Sequence, residues 1–439
     1  MKRSLLYSLC IAVLFASCKK DDDYIFDRSP DERINEVLAE YQSTLVNAPH
    51  GWRGMIAPSG AQGGVFSFYF KFNNENRVEM FSDFDSLSSV TPMESSYRLK
   101  ALQQPSLIFD TYSYVHVLAD PDARQNGGAW GVGLGSDFEF AIEGIVGDTM
   151  KLIGRFNRSR AYLVKATQQE AQDYYDKKYG ARTFDNFSKY LNYFKRIVTP
   201  EREYQVRVNQ AAHSIHIEWV DGNDNLRKDT IGYTYTADGI AFVPAFYDGV
   251  RTITGLTEMT WDEASKKLSF KVNGAASHIV GTGTPIKPDP DAARRWWQTM
   301  VTNDEYWLSW EGFHKDGIDD YFGITQLHEY GFLMFWPKYG TSGGITYDLM
   351  APVKFDGAQL YLEYGHAFRQ PNFTDDGRAI FTWLGTLGAV TPADSAAVHG
   401  TRLQLMEAQG YYLVQTGPMV YDMVNAKDGL AWVTWEPFP

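Results

Sequence analysis

Both cysteines of this chain sit at one end. Its 439 residues hold only Cys10 and Cys18, so no disulfide within the chain can brace anything beyond residue 18. Whatever folds there must be held by its own buried apolar surface. Aromatic rings supply much of that surface: 27 Tyr, 27 Phe and 12 Trp make up 15% of the residues. Such side chains fit a pleated, half-buried sheet, which points to a β-rich fold, and they equally suit a surface that stacks on sugar rings.

The N-terminus has the layout of an export signal. Lys2 and Arg3 precede an apolar stretch at residues 5–15, and Ala16 and Ser17 lead into Cys18. The apolar run is too short to cross a ~30 Å hydrocarbon core as a helix. Leu14-Phe15-Ala16-Ser17-Cys18 resembles a bacterial lipobox, which makes residues 1–17 the expected signal peptide and Cys18 the expected lipidation site. A thioether at Cys18 also removes a lone thiol from an oxidising compartment. Lys19-Lys20-Asp21-Asp22-Asp23 comes next. It is similar to the signal that sends Bacteroidetes lipoproteins to the outer face of the outer membrane. The expectation is a lipid-anchored protein of the outer membrane, exposed at the cell surface, with residues 18–28 as an acidic tether. Cleavage removes Lys2 and Arg3 from a formal balance already at −13. A chain this acidic repels phosphate backbones and anionic lipid, which excludes nucleic acid as a partner and leaves membrane attachment to the acyl chains.

The folded part reads as α+β and β-rich, with antiparallel sheets or meanders and a few capped helices. Ser29, Pro30 and Glu32 form a capping box ahead of a helix carrying Ile34, Val37, Leu38, Tyr41 and Leu45 on one face. Thr167 and Glu170 open a second helix, and Phe184, Phe187, Leu191 and Phe194 suggest a third. Strands are expected at 65–72, 77–81, 97–102, 106–109, 138–145, 150–156 and 161–165, and again across 204–272. Segments 106–118 and 150–156 look like 239–256 and 267–272, a divergent internal repeat. The Gly- and Pro-rich stretch 281–290 is the best boundary. The expected organisation is a β-rich α+β region at 29–284, as two repeats of about 29–166 and 167–284, then a Trp-rich, β-rich domain at 285–439.

Motifs for common chemistries fail on their spacing. Gly340-Thr341-Ser342-Gly343-Gly344 matches a nucleophile elbow, but strand-like residues on both sides make it a hairpin turn. His328-Glu329 lacks a second histidine one helical turn on, where Phe332 stands. His213 and His216 fall on opposite faces of a strand. No metal site and no cofactor follow. The one alternative is Ca²⁺ held by hard carboxylate oxygens in the acidic stretch 83–139. In that stretch Asp110, His116, Asp120, Asp137 and Glu139 are the candidates for catalysis, as paired carboxylates cleaving a glycosidic bond. The C-terminal part holds eight of the twelve tryptophans, and Trp296, Trp307, Trp310 and Trp336 are the candidates for a ligand-binding face.

Phe26-Asp27-Arg28-Ser29-Pro30-Asp31-Glu32-Arg33, Ala48-Pro49-His50-Gly51-Trp52, Leu107-Ile108-Phe109-Asp110-Thr111-Tyr112 and Ser136-Asp137-Phe138-Glu139-Phe140 resemble the Bacteroidetes lipoprotein family catalogued as domain of unknown function 4302. The resemblance is strongest over 24–165. It implies a cell-surface lipoprotein, often encoded beside starch-utilisation-type outer-membrane transporters, and brings no established activity. The preferred expectation is a non-catalytic accessory or binding component of a nutrient-uptake system, taking up glycan or peptide, with a starch-utilisation-type transporter complex as partner. The alternatives are a hydrolase using the 83–139 carboxylates and a structural scaffold of the transporter complex.

Overall fold

The computed structural model describes residues 29–438, so Cys18 and the 18–28 tether lie outside the described residues. The helix Pro30–Val46 starts at its capping box. Glu32 N donates to Ser29 Oγ at 3.2 Å, and Ser29 N donates to the Glu32 carboxylate at 2.9 Å. Both bonds occupy backbone donors that a helix start leaves without partners. Tyr41, Leu45 and Val46 turn into the first core, and Trp52 Nε1 donates to Leu45 O at 2.9 Å.

Eight strands follow: β1 (Trp52–Ala57), β2 (Phe66–Phe72), β3 (Arg77–Ser82), β4 (Met93–Ala101), β5 (Pro105–Phe109), β6 (Glu139–Val146), β7 (Thr149–Gly154) and β8 (Arg160–Lys165). Each pairs antiparallel with the next, and β1 closes on β8 from Trp52↔Lys165 to Ala57↔Arg160. Closure abolishes the edges that an open sheet must protect. Along β1 every second residue is buried. On β2 both faces are covered: Phe68, Phe70 and Phe72 fill the barrel, while Tyr69 stacks at 5.1 Å on Tyr174 of the outer helix Gln168–Tyr175.

The second barrel repeats this order with β9 (Phe194–Val198), β10 (Glu203–Asn209), β11 (Ser214–Val220), β12 (Leu226–Thr236), β13 (Gly239–Tyr247), β14 (Thr252–Asp262), β15 (Lys267–Val272) and β16 (Ala275–Thr282), β16 closing on β9. The segments paired by the repeat reading supply the fifth strand of each barrel, β5 and β13, and the seventh, β7 and β15. The helix expected over Phe184–Phe194 differs. Thr183–Lys189 is a 3₁₀ helix whose Phe184 and Phe187 enter the second core, Leu191 is exposed, and Phe194 already begins β9. Closing the barrel requires a strand there, and that requirement overrides the local helical spacing.

A twelve-stranded antiparallel sheet completes the chain. The helix Ala292–Asn303 lies against it and buries both Trp296 and Trp297, although adjacent positions on a helix point about 100° apart. Trp296 enters the central core, and Trp297 Nε1 donates to buried Asp348 at 2.8 Å. Gly343 and Gly344 form the expected hairpin turn between the strands Tyr330–Ser342 and Ile345–Phe355. No helix among the described residues is long and apolar enough to cross a membrane.

The three units touch in sequence. Between the barrels, buried Asp83 accepts from Ser67 N of the first at 2.8 Å and from Tyr235 N of the second at 3.0 Å. Between the second barrel and the last sheet, Tyr193 N donates to Gly429 O at 2.7 Å and Phe194 packs with Tyr412 and Val424.

Candidate functional site

The five acidic-stretch candidates lie at one end of the first barrel, where most of them serve as structural acceptors. Asp137, 4% exposed, accepts from Phe156 N (2.7 Å), Asn157 N (2.8 Å), Ser159 N (3.1 Å) and Ser159 Oγ (2.6 Å). Asp120 accepts from Tyr112 Oη at 2.8 Å and Asp122 N at 2.9 Å. Asp110 is ion-paired with Arg98, and Glu139 lies 3.9 Å from Arg155. His116 accepts from Ser113 N through Nδ1 at 3.2 Å, and its ring is stacked between Tyr112 and Phe138 at 5.7 and 4.7 Å. Burial lowers its pKa and favours the neutral imidazole. Of these carboxylates only Glu139 is loosely held, so the arrangement offers no pair of disengaged acids for glycosidic chemistry. Among the described residues no group of three or more His, Cys, Asp or Glu is placed to hold a metal ion. Asp137 and Glu139 themselves line an open cleft of about 810 Å³, walled also by Val132, Phe138 and Phe156.

The tryptophan candidates divide. Trp296 and Trp307 are fully buried, stacked on each other at 5.9 Å, with Trp307 Nε1 donating to Trp296 O at 3.1 Å. They are core residues, a correction to the expectation of a binding face. Trp336 is half-buried against Tyr306 at 5.1 Å. Trp310 alone of the four opens onto a cavity, at 48% exposure.

That cavity, about 430 Å³, follows from a break in strand pairing. The strand Ala431–Pro437 pairs with Trp307–Ser309 at Trp307↔Pro437 and Leu308↔Glu436, then with His314–Lys315 at His314↔Trp432 and Lys315↔Ala431. Between them residues 310–313 leave the ladder: Trp310 and Glu311 are exposed beside 433–435, while Phe313 returns to the core. Gly312 shapes this segment: its φ is +73°, and a Cβ there would meet Ile324 Cγ2 at 2.5 Å. Alternation along Ala431–Pro437 sends Val433 and Trp435 into the core and leaves Trp432, Thr434 and Glu436 lining the cleft.

The aromatic walls are held in place. Trp310 Nε1 donates to the Glu436 carboxylate, and its ring meets Phe332 edge-on at 5.8 Å. Trp432 stacks on His314 at 3.7 Å, and His314 Nδ1 bonds Asp319 at 2.6 Å. Asp320 closes the floor, accepting from Ile324 N and Thr325 N at 2.8 and 2.9 Å. Glu311 completes the lining. The result is a groove with a fixed indole face ringed by carboxylate acceptors, the arrangement that packs against the C–H face of a sugar while accepting from its hydroxyls. Sequence reasoning missed Trp432, His314, Asp319 and Glu436 as a group. The period-two pattern of 431–436 carried the signal for Trp432 and Glu436.

Residues 22–263 match the family described as Domain of unknown function (DUF4302). The chain belongs to this family. The match takes in the helix Pro30–Val46, the first barrel with its acidic cluster and most of the second barrel, and it stops before the Trp310 cleft. No curated protein matches the chain. Solved structures that align with it include the DNA polymerase III subunit beta DnaN sliding clamp from Bartonella birtlesii LL-WM9, at 9% identity, 91% of this chain, 97% of that one and a TM-score of 0.14. The beta subunit from DNA polymerase of Streptococcus pyogenes aligns at 8% identity, 92% of this chain, 98% of that one and a TM-score of 0.12. At such TM-scores the likeness carries no argument.

Proposed function

We propose that this DUF4302 protein is a lipid-anchored, surface-exposed capture component of a nutrient-uptake system, and that it binds glycan in the Trp310 cleft. One observation carries the reading: a fixed, half-exposed indole beside the acceptors Glu311, Asp319 and Glu436 in a ligand-sized groove. The lipobox-like segment ending at Cys18 and the charged run after it support the address. The engagement of Asp110, Asp120 and Asp137 favours capture over hydrolysis.

A glycan array and affinity electrophoresis on the chain from Lys19 onward test the proposal. A retained polysaccharide is the expected result. Trp310→Ala should weaken it about 10- to 100-fold, because stacking area of the order of one large buried side chain is lost. Silence across the array, or retention untouched by Trp310→Ala, overturns it.

A further inference from the structure

We propose that the Trp310 cleft selects sugars bearing a free, protonated amine and rejects acidic ones. This rests on the glycan-capture reading and adds the substrate class to it. The stacking face is neutral, so any preference among sugars of one shape must come from the polar groups around it. Those groups are almost all of one sign. Glu311, Asp319 and Glu436 each line the cavity, and among the described residues no basic side chain pairs with Glu311. Glu436 uses one oxygen on the Trp310 indole and keeps the other.

The one basic side chain in the lining is His314, already committed to Asp319 and sandwiched against Trp432. Lys315, next along the strand, is drawn away over the rings of Tyr321 and Phe322 at 5.3 and 5.7 Å. A uronate or sulfate would enter against Glu311 and Glu436, with the one basic side chain of the lining already held by Asp319. An ammonium on a sugar carbon would exchange its hydration for charge-assisted bonds to groups already in position. The chain as a whole is acidic at −13, which adds long-range attraction of the same sign.

The test compares three β-1,4-linked ligands of similar shape on the full chain in detergent: glucosamine oligomers, their N-acetylated counterparts and oligoglucuronate. Calorimetry at low salt and in 1 M NaCl reads each affinity. Glucosamine oligomers should bind at least tenfold tighter than the N-acetylated form, oligoglucuronate should not bind, and high salt should collapse the gap. Glu311→Gln should shrink the ratio several-fold. Equal affinities, tighter binding of the acid, or a ratio indifferent to salt overturns the inference while leaving glycan capture standing. Failure of glucosamine oligomers to bind, when other glycans on the array do, also overturns it. Silence of every glycan removes both proposals together.

Discussion

Asp137→Asn tests whether the acidic end of the first barrel is architecture or chemistry. In the native turn one carboxylate oxygen accepts from Phe156 N and Asn157 N, and the other from Ser159 N and Ser159 Oγ. An asparagine keeps the first pair. Its NH₂ then faces the Ser159 amide donor to donor, so one buried N–H loses its acceptor, at about 1–3 kcal/mol. The surviving bonds also lose their charge assistance, which brings the expected loss to about 2–4 kcal/mol. The loss should be local, because all four bonds close residues 156–159 over one side chain. Amide exchange at Phe156, Asn157 and Ser159 should accelerate roughly 30- to 1,000-fold, at about 1.4 kcal/mol per decade, while Ile142 and Leu152 deep in the barrel stay protected. Hydrogen-exchange mass spectrometry or NMR reads this directly. Less than a threefold change in the turn, together with loss of a measurable glycosidase activity, would refute the structural assignment and restore the hydrolase alternative.

The junction of the barrels makes a prediction about pH. Burial pushes the Asp83 carboxyl up to about 7 and drives the His213 imidazole down to about 3. A raised acid makes stability fall as pH rises from about 4 to about 7, and a depressed histidine makes it rise from about 3 to about 6.5. Over about 4–6.5 the two slopes oppose, so the pair adds little pH dependence. Asp83→Asn should uncover the histidine, and its urea midpoint should climb relative to the parent between pH 4.5 and 6.5; a parallel pair of profiles would refute this. Gly312→Ala forces a Cβ into Ile324 at a positive φ, and should cost about 1–3 kcal/mol and reduce glycan retention. Unchanged denaturation and retention would show that the 310–313 segment tolerates the side chain.

Much of the frame was legible because it depends on neighbours in sequence. Ser29 and Glu32 cap a helix through residues three apart, and period-two burial marks β1 without reference to anything distant. The turn at Gly343 and Gly344 was readable for the same reason. The pairing of 106–118 with 239–256 foreshadowed two units of one topology. Local spacing failed at Phe184–Phe194, where barrel closure needed a strand. The expectation of a binding face failed at Trp296, because the helix packs on the sheet and buries both Trp296 and its neighbour Trp297.

By itself, then, the sequence determined most element types, the β-rich class, the repeat rhythm and the absence of disulfide bracing beyond Cys18. Those properties follow from residue type and short-range spacing. Only the tertiary structure decided which rings are core and which are open. Trp307 and Trp310 stand three residues apart in the same short segment, yet one is sealed against Trp296 and the other faces a cavity. What separates them is a lapse in pairing along Ala431–Pro437, more than a hundred residues away. Exposure is a property of what closure brings alongside a side chain, and no local pattern encodes it.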